Sequence, residues 1–141
     1  MAQNQNNVAA GAAGAQAGGL ATERPATRGR IIILNALPLN ALPRAPHLRL
    51  DILPVSISDL AVWTQRRLQE GYEIVHYIRH QATISALRAA GIPLSETPNA
   101  GLYQYQHGDI LVVATLRNPP RGQEVQQLDI NDLESWIVMV L

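Results

Sequence analysis

The sequence predicts a single α/β domain. Three observations point to it. Two apolar runs, Arg30–Leu34 and Ile110–Leu116, are rich in branched residues and nearly continuous rather than alternating, as in strands buried on both faces. Two other stretches, from Ile57 to Glu70 and from Arg79 to Ala90, place apolar residues at helical spacing. Between the elements lie Gly, Pro and Asn clusters that suit turns.

In order, the first strand ends at Leu34 and opens into Asn35-Ala36-Leu37-Pro38-Leu39-Asn40-Ala41-Leu42-Pro43. Two prolines five residues apart exclude a helix interior and a central strand there. His47–Leu53 alternates in part and reads as a second strand nearer an edge, ended by Pro54. Ser56 with Asp59 resembles a capping box for the helix to Glu70, and Gly71 suits its C-terminal turn. Tyr72–Ile78 is the third strand. A tight turn and a helix follow, which Gly91-Ile92-Pro93 terminates. Leu102–Gln106 forms a short strand in this reading, and His107-Gly108-Asp109 a turn into Ile110–Leu116. A helical turn at Asp129–Asp132 and a strand at Trp136–Leu141 close the chain. No internal repeat appears.

Composition bounds the rest. Residues 1–29 are mostly Ala, Gly, Gln, Asn and Thr, too poor in large apolar side chains to offset ordering entropy. They read as a disordered tail, and residues 30–141 as the folded domain. No stretch approaches the apolar length of a membrane helix, so no membrane partner is expected. The formal net charge of +0 gives no general attraction to duplex nucleic acid. The chain has no cysteine, which excludes disulfides and thiolate metal sites and agrees with a reducing, cytoplasmic setting. The histidines, His47, His76, His80 and His107, show no ligand spacing. No metal or other cofactor is therefore expected. Neither a Gly-x-Ser-x-Gly elbow nor a glycine-rich phosphate loop is present.

The chemistry that remains collects at strand ends. Asn35 and Asn40 follow the first strand, Arg79, His80 and Thr83 follow the third, and Arg117 follows the strand read as central. Ligands of open α/β sheets bind beyond the carboxyl ends of the strands. A helix start with unpaired N–H groups, beside a histidine and an arginine, suits a phosphate. Such groups could cleave a phosphodiester: a ribose 2′-hydroxyl attacks phosphorus, His80 protonates the leaving 5′-oxygen, and Arg117 stabilises the charge. The plainer alternative is that the asparagines brace their loop and His80 simply begins a helix.

The same stretches resemble the viral ring nucleases, the type III anti-CRISPR proteins of archaeal viruses and phages, over roughly Ile31–Leu141. Ile33-Leu34-Asn35-Ala36-Leu37-Pro38-Leu39-Asn40 is similar to the family's first strand and loop. Ile78-Arg79-His80-Gln81-Ala82-Thr83 is similar to its Ile-Gly-His-x-x-Thr signature. Gly108-Asp109, the following strand, Arg117 and Gly122 resemble its C-terminal half. The resemblance implies a mostly parallel sheet of about five strands flanked by helices, in a homodimer. It implies cyclic tetra-adenylate as ligand, cut without metal to linear di-adenylate, and a host-cell cytoplasmic setting if the protein is viral. His80 would be the general acid, with Asn35, Asn40, Thr83 and Arg117 holding ribose and phosphates. Two positions depart from the pattern: Arg79 stands where the family has Gly, and Arg121 precedes Gly122 where the family often has an acid. Both arginines are candidate ligand contacts. Both also leave open a binding protein that sequesters the cyclic nucleotide uncut. An adaptor tethered by the Asn-rich tail is a third possibility.

Overall fold

A computed structural model describes residues 27–117, 128 and 130–141. The strands are β1 (Arg30–Leu34), β2 (Leu50–Val55), β3 (Glu73–His76), β4 (Ile110–Leu116) and β5 (Leu133–Val140). The helices are α1 (Ile57–Gln69) and α2 (Gln81–Ala89), with 3-10 turns at Leu39–Ala41 and Ile130–Asp132. One five-stranded sheet has the order β2-β5-β4-β1-β3.

The sheet is mixed rather than mostly parallel. β1 runs parallel to both neighbours, β3 and β4, whereas β5 runs antiparallel to β4 and β2. Four strands thus share one direction and β5 alone opposes them. The β3–α2–β4 segment supplies the helical crossover that parallel strands need. β5 instead turns back at the edge where β4 ends, with Arg117 N–H donating to the Asp132 carbonyl at 2.8 Å.

The helices also cover one face, not both. Ile31 and Ile33 of β1 pack with Leu60, Ile84 and Leu87 on the helical side. Ile32 and Leu34 pack on the other side with Ala41, Leu42 and Tyr103. That second face is roofed by two loops, joined where Tyr105 N–H and Gln104 Nε2 both donate to the Ala41 carbonyl, at 3.0 and 3.2 Å. Burial of alternate side chains on opposite faces explains the unbroken apolar run of β1.

Several boundaries differ from those the sequence suggests. β2 continues through Pro54, paired with Trp136; it is an edge strand, where a missing N–H is tolerated. Leu102–Gln106 is no strand. Its alternation reflects Tyr103 turning inward over the sheet while Leu102 and Gln104 face out. β5 begins three residues early: Leu133 is buried, and Ser135 Oγ donates to the Val55 carbonyl at 2.7 Å. β3 stops at His76, whose buried ring ties the strand end to a neighbouring loop. Ile78 N–H donates to Nδ1 at 3.3 Å, so the ring carries its proton on Nε2 and donates it to the Ser95 carbonyl at 2.9 Å.

The chain pairs with the sheet slightly before β1. Arg28 N–H donates to the Gly71 carbonyl at 3.1 Å, and Glu73 N–H to the Gly29 carbonyl at 3.0 Å. A Cβ on Gly29 would meet the Tyr72 ring at 3.3 Å. Deleting residues 1–27 is therefore expected to leave the thermal midpoint unchanged. Deleting 1–29 is expected to lower stability by about 1–2 kcal/mol, for two backbone hydrogen bonds. Equal melting curves for the two truncations would contradict this.

Candidate functional site

The carboxyl ends of β1, β3 and β4 lie at one edge of the sheet, with β1 in the middle. Ile33 pairs with His76, so continuing that register sets Asn35 level with Ile78. The β1 loop and the β3–α2 turn thus leave the sheet side by side.

They share a cavity of about 270 Å³. Asn35, Asn40 and Arg79 line it, together with Tyr77, Tyr103 and Gln104. Among the described residues Arg79 is the only charged one lining it, and its Nη2 donates to the Gly101 carbonyl at 3.3 Å. Tyr77 and Tyr103 stand 5.6 Å apart between ring centroids, tilted at 59°. Asn99 Nδ2 donates to the Tyr77 hydroxyl at 3.0 Å.

The Tyr103 hydroxyl donates to Asp109 Oδ2 at 2.6 Å. Asp109 is itself buried and bound by Arg30 through both oxygens, at 3.0 and 2.7 Å. Gln106 N–H is a further donor, at 3.0 Å. Burial pushes the Asp109 carboxyl up, but the Arg30, Tyr103 and Gln106 hydrogen bonds outweigh it and leave its pKa below the ordinary value. The Arg30 pKa is raised, chiefly by its hydrogen bond to Asp109, and burial followed by that carboxylate raises the Tyr103 phenol.

His80 is the N-cap of α2, with no side chain capping the helix start. Its Nδ1 lies 2.9 Å from Oγ1 of the buried Thr83. The hydroxyl can accept from Nδ1–H or donate to bare Nδ1. With the imidazolium it must accept, which leaves Nε2–H available to a ligand. The three-residue spacing brings these two side chains together, as the helix geometry requires. His80 adjoins Arg79 in the chain but does not line the cavity.

Arg117 stands apart. It lines a different cavity, of about 450 Å³, with the start of α1, the end of β2 and the start of β5. Leu34 pairs with Val113, so Arg117 lies three residues, or about 10 Å, beyond the level of Asn35 along the strand. Arg117 Nη2 donates to the Leu133 carbonyl at 3.5 Å, and Nη1 pairs with Glu134 at 3.5 Å. The overshoot of β4 carries Arg117 away from Asn35, Asn40 and Arg79. Arg121 lies outside the described residues. Among the described residues no three histidine or acidic side chains cluster as a metal site, and no helix is long and apolar enough to cross a membrane.

The wall residues Tyr77, Tyr103 and Gln104 were not legible as site residues. The available signal was Tyr103-Gln104-Tyr105-Gln106, an alternation of aromatic and amide side chains with a glycine two residues beyond each end, which reads equally as an edge strand.

The sequence matches no protein-family model, and it matches no curated protein. A solved structure does match: B116 of Sulfolobus turreted icosahedral virus (STIV). It superposes with a TM-score of 0.59 at 17% identity, over 77% of this chain and 97% of that one. At this identity the likeness establishes a shared fold, that of a viral protein.

Proposed function

We propose that the protein is a metal-independent phosphodiesterase that opens a cyclic oligoadenylate, with cyclic tetra-adenylate the first candidate, and so silences type III CRISPR signalling. The observation that carries this reading is the His80–Thr83 pair at the start of α2, directly after Arg79 in the chain, which lines a cavity with two asparagines. The fold shared with a viral protein agrees with it.

In the proposed reaction a ribose 2′-oxygen attacks the adjacent phosphorus and its proton passes to solvent. The P–O5′ bond breaks, and His80 Nε2–H gives its proton to the departing 5′-oxygen. The products are a 5′-hydroxyl and a 2′,3′-cyclic phosphate; two cuts give linear di-adenylate. Thr83 Oγ1 accepts from Nδ1–H and holds the imidazolium in place. Arg79 replaces Arg117 as the nearest cation for the phosphate, since Arg117 occupies the other cavity. Asn35 and Asn40 contribute amides for ribose or base edges. A cavity of about 270 Å³ is at the small end for ligand sites. A four-nucleotide ring needs more surface, which a second copy of the chain would supply. A cytoplasmic homodimer is thus part of the proposal.

The separation of Arg117 also favours a second reading, that the cyclic nucleotide is held and not cut. Incubation with cyclic oligonucleotides of several ring sizes in EDTA decides between the two. Linear products with cyclic phosphate ends support the nuclease. Ligand retained and recovered intact supports sequestration. Absence of binding to every ring sinks both, and a strictly monomeric protein with full activity sinks the shared site.

A further inference from the structure

Arg79 and Gly101 both line the cavity, and one long, exposed hydrogen bond joins them across its wall. The loop before Gly101 is fixed by Asn99, whose N–H donates to the His76 carbonyl at 2.8 Å and whose Nδ2 donates to the Tyr77 hydroxyl. The loop after Leu102 is fixed by Tyr103, held to buried Asp109 at 2.6 Å. Between these anchors Gly101 has φ +81°, and a Cβ there would meet no atom within 4 Å. Leu102 is 93% exposed. Among the described residues, only the exposed Arg79–Gly101 hydrogen bond, at 3.3 Å, crosses from the β3–α2 turn to this tip.

Among the described residues Arg79, like Arg28, Arg44, Arg49 and Arg66, has no carboxylate within ion-pairing distance; of these five it is the one that lines the cavity. A guanidinium on a neutral carbonyl in water is easily displaced. The same group forms paired, charge-assisted bonds to phosphate.

We propose that Arg79 is an exchangeable clamp: it gives up the Gly101 carbonyl for a phosphate of the bound ligand, and the freed Gly101–Leu102 tip opens the cavity mouth. This rests on reading the cavity as a phosphodiester site, but not on cleavage. The exchange accounts for an arginine at the position before His80. In the unliganded protein it holds the wall, and in the complex it holds the ligand.

The test uses the full chain with two probes, cyclic tetra-adenylate and inorganic pyrophosphate. The Arg79 Nε–Hε resonance, assigned by its loss in Arg79→Gln, is followed together with the backbone order parameter of Leu102. Both probes are expected to shift the resonance and to lower the Leu102 order parameter. Arg79→Gln is expected to show the low order parameter without any ligand, and to bind about tenfold or more weakly, as loss of a charged hydrogen bond implies. Arg79→Lys, which keeps the charge but not the fork, is expected to fall between. A bound probe that leaves both signals unmoved overturns the clamp, as does Arg79→Gln binding like the wild type. A response to pyrophosphate without any binding of cyclic tetra-adenylate keeps the clamp and sinks the proposed substrate. A response to neither sinks the clamp.

Discussion

Replacing His80 with alanine is expected to slow cleavage of cyclic tetra-adenylate by about 10²–10⁴-fold while leaving its binding nearly unchanged. The magnitude is that of a general acid removed from a transition state, or about 3–5 kcal/mol of barrier. The split follows from geometry. Nδ1 is engaged by Thr83 Oγ1 at 2.9 Å, so only Nε2 can meet the leaving oxygen. In the proposed site ground-state affinity would rest on other groups, Asn35, Asn40 and Arg79, which line the cavity. Thr83→Val keeps the buried shape and deletes the acceptor for Nδ1–H. It is expected to cost less than His80→Ala, and to move the alkaline limb of the pH–rate profile, along which a general acid is lost, as well as its height. A purely structural threonine would change the melting temperature and leave the profile in place. Rapid cleavage by His80→Ala would remove His80 from the mechanism, whatever the ligand.

How much of this was legible depends on where each constraint lies. β1, α1 and β4 are set by local pattern, because a fully buried strand and an amphipathic helix leave a periodic trace. The His80–Thr83 pair was legible for the same reason, since three residues apart on one helix is a local relation. Asn35, Asn40 and Arg79 could be placed at strand ends, and β1 and β3 happen to be neighbours. Arg117 also follows a strand end, but strand length and order decide its position, and no local signal reports either. The direction of β5 was hidden in the same way. A parallel or antiparallel partner needs the same apolar residues. The loop roof over the second face was missed because Tyr103 looks like a strand residue until its partner, Asp109, is seen to hold it.

That partner carries the largest expected effect on stability. Asp109→Ala is expected to destabilise the fold by about 3 kcal/mol, the lower end for breaking a buried ion pair, because the Arg30 side chain keeps 21% exposure. Against the usual reserve of about 5–15 kcal/mol the loss is large. It has three parts: the Arg30 guanidinium loses both its acceptors, the Tyr103 hydroxyl is left buried without one, and Gln106 N–H is orphaned. Tyr103→Phe removes only one of these bonds and is expected to cost less. The pH dependence follows in sign. The folded Asp109 carboxyl titrates below its ordinary value, so its contribution is complete above the unfolded pKa of about 4. It is lost as pH falls below that, through the lower folded value. Wild type should therefore lose stability in this acidic window more steeply than Asp109→Ala, and the two denaturation curves should converge there. Arg30→Met combined with Asp109→Leu supplies the control. If the pair acts mainly by avoiding unpaired charge, this double variant should recover most of the Arg30-related loss, leaving Tyr103 and Gln106 unpartnered. Recovery would assign most of the cost of Asp109→Ala to the unpaired Arg30 guanidinium. A double variant as unstable as Asp109→Ala would instead place the whole cost on Tyr103 and Gln106, and a stability difference that does not shrink toward low pH would refute the charged role of Asp109.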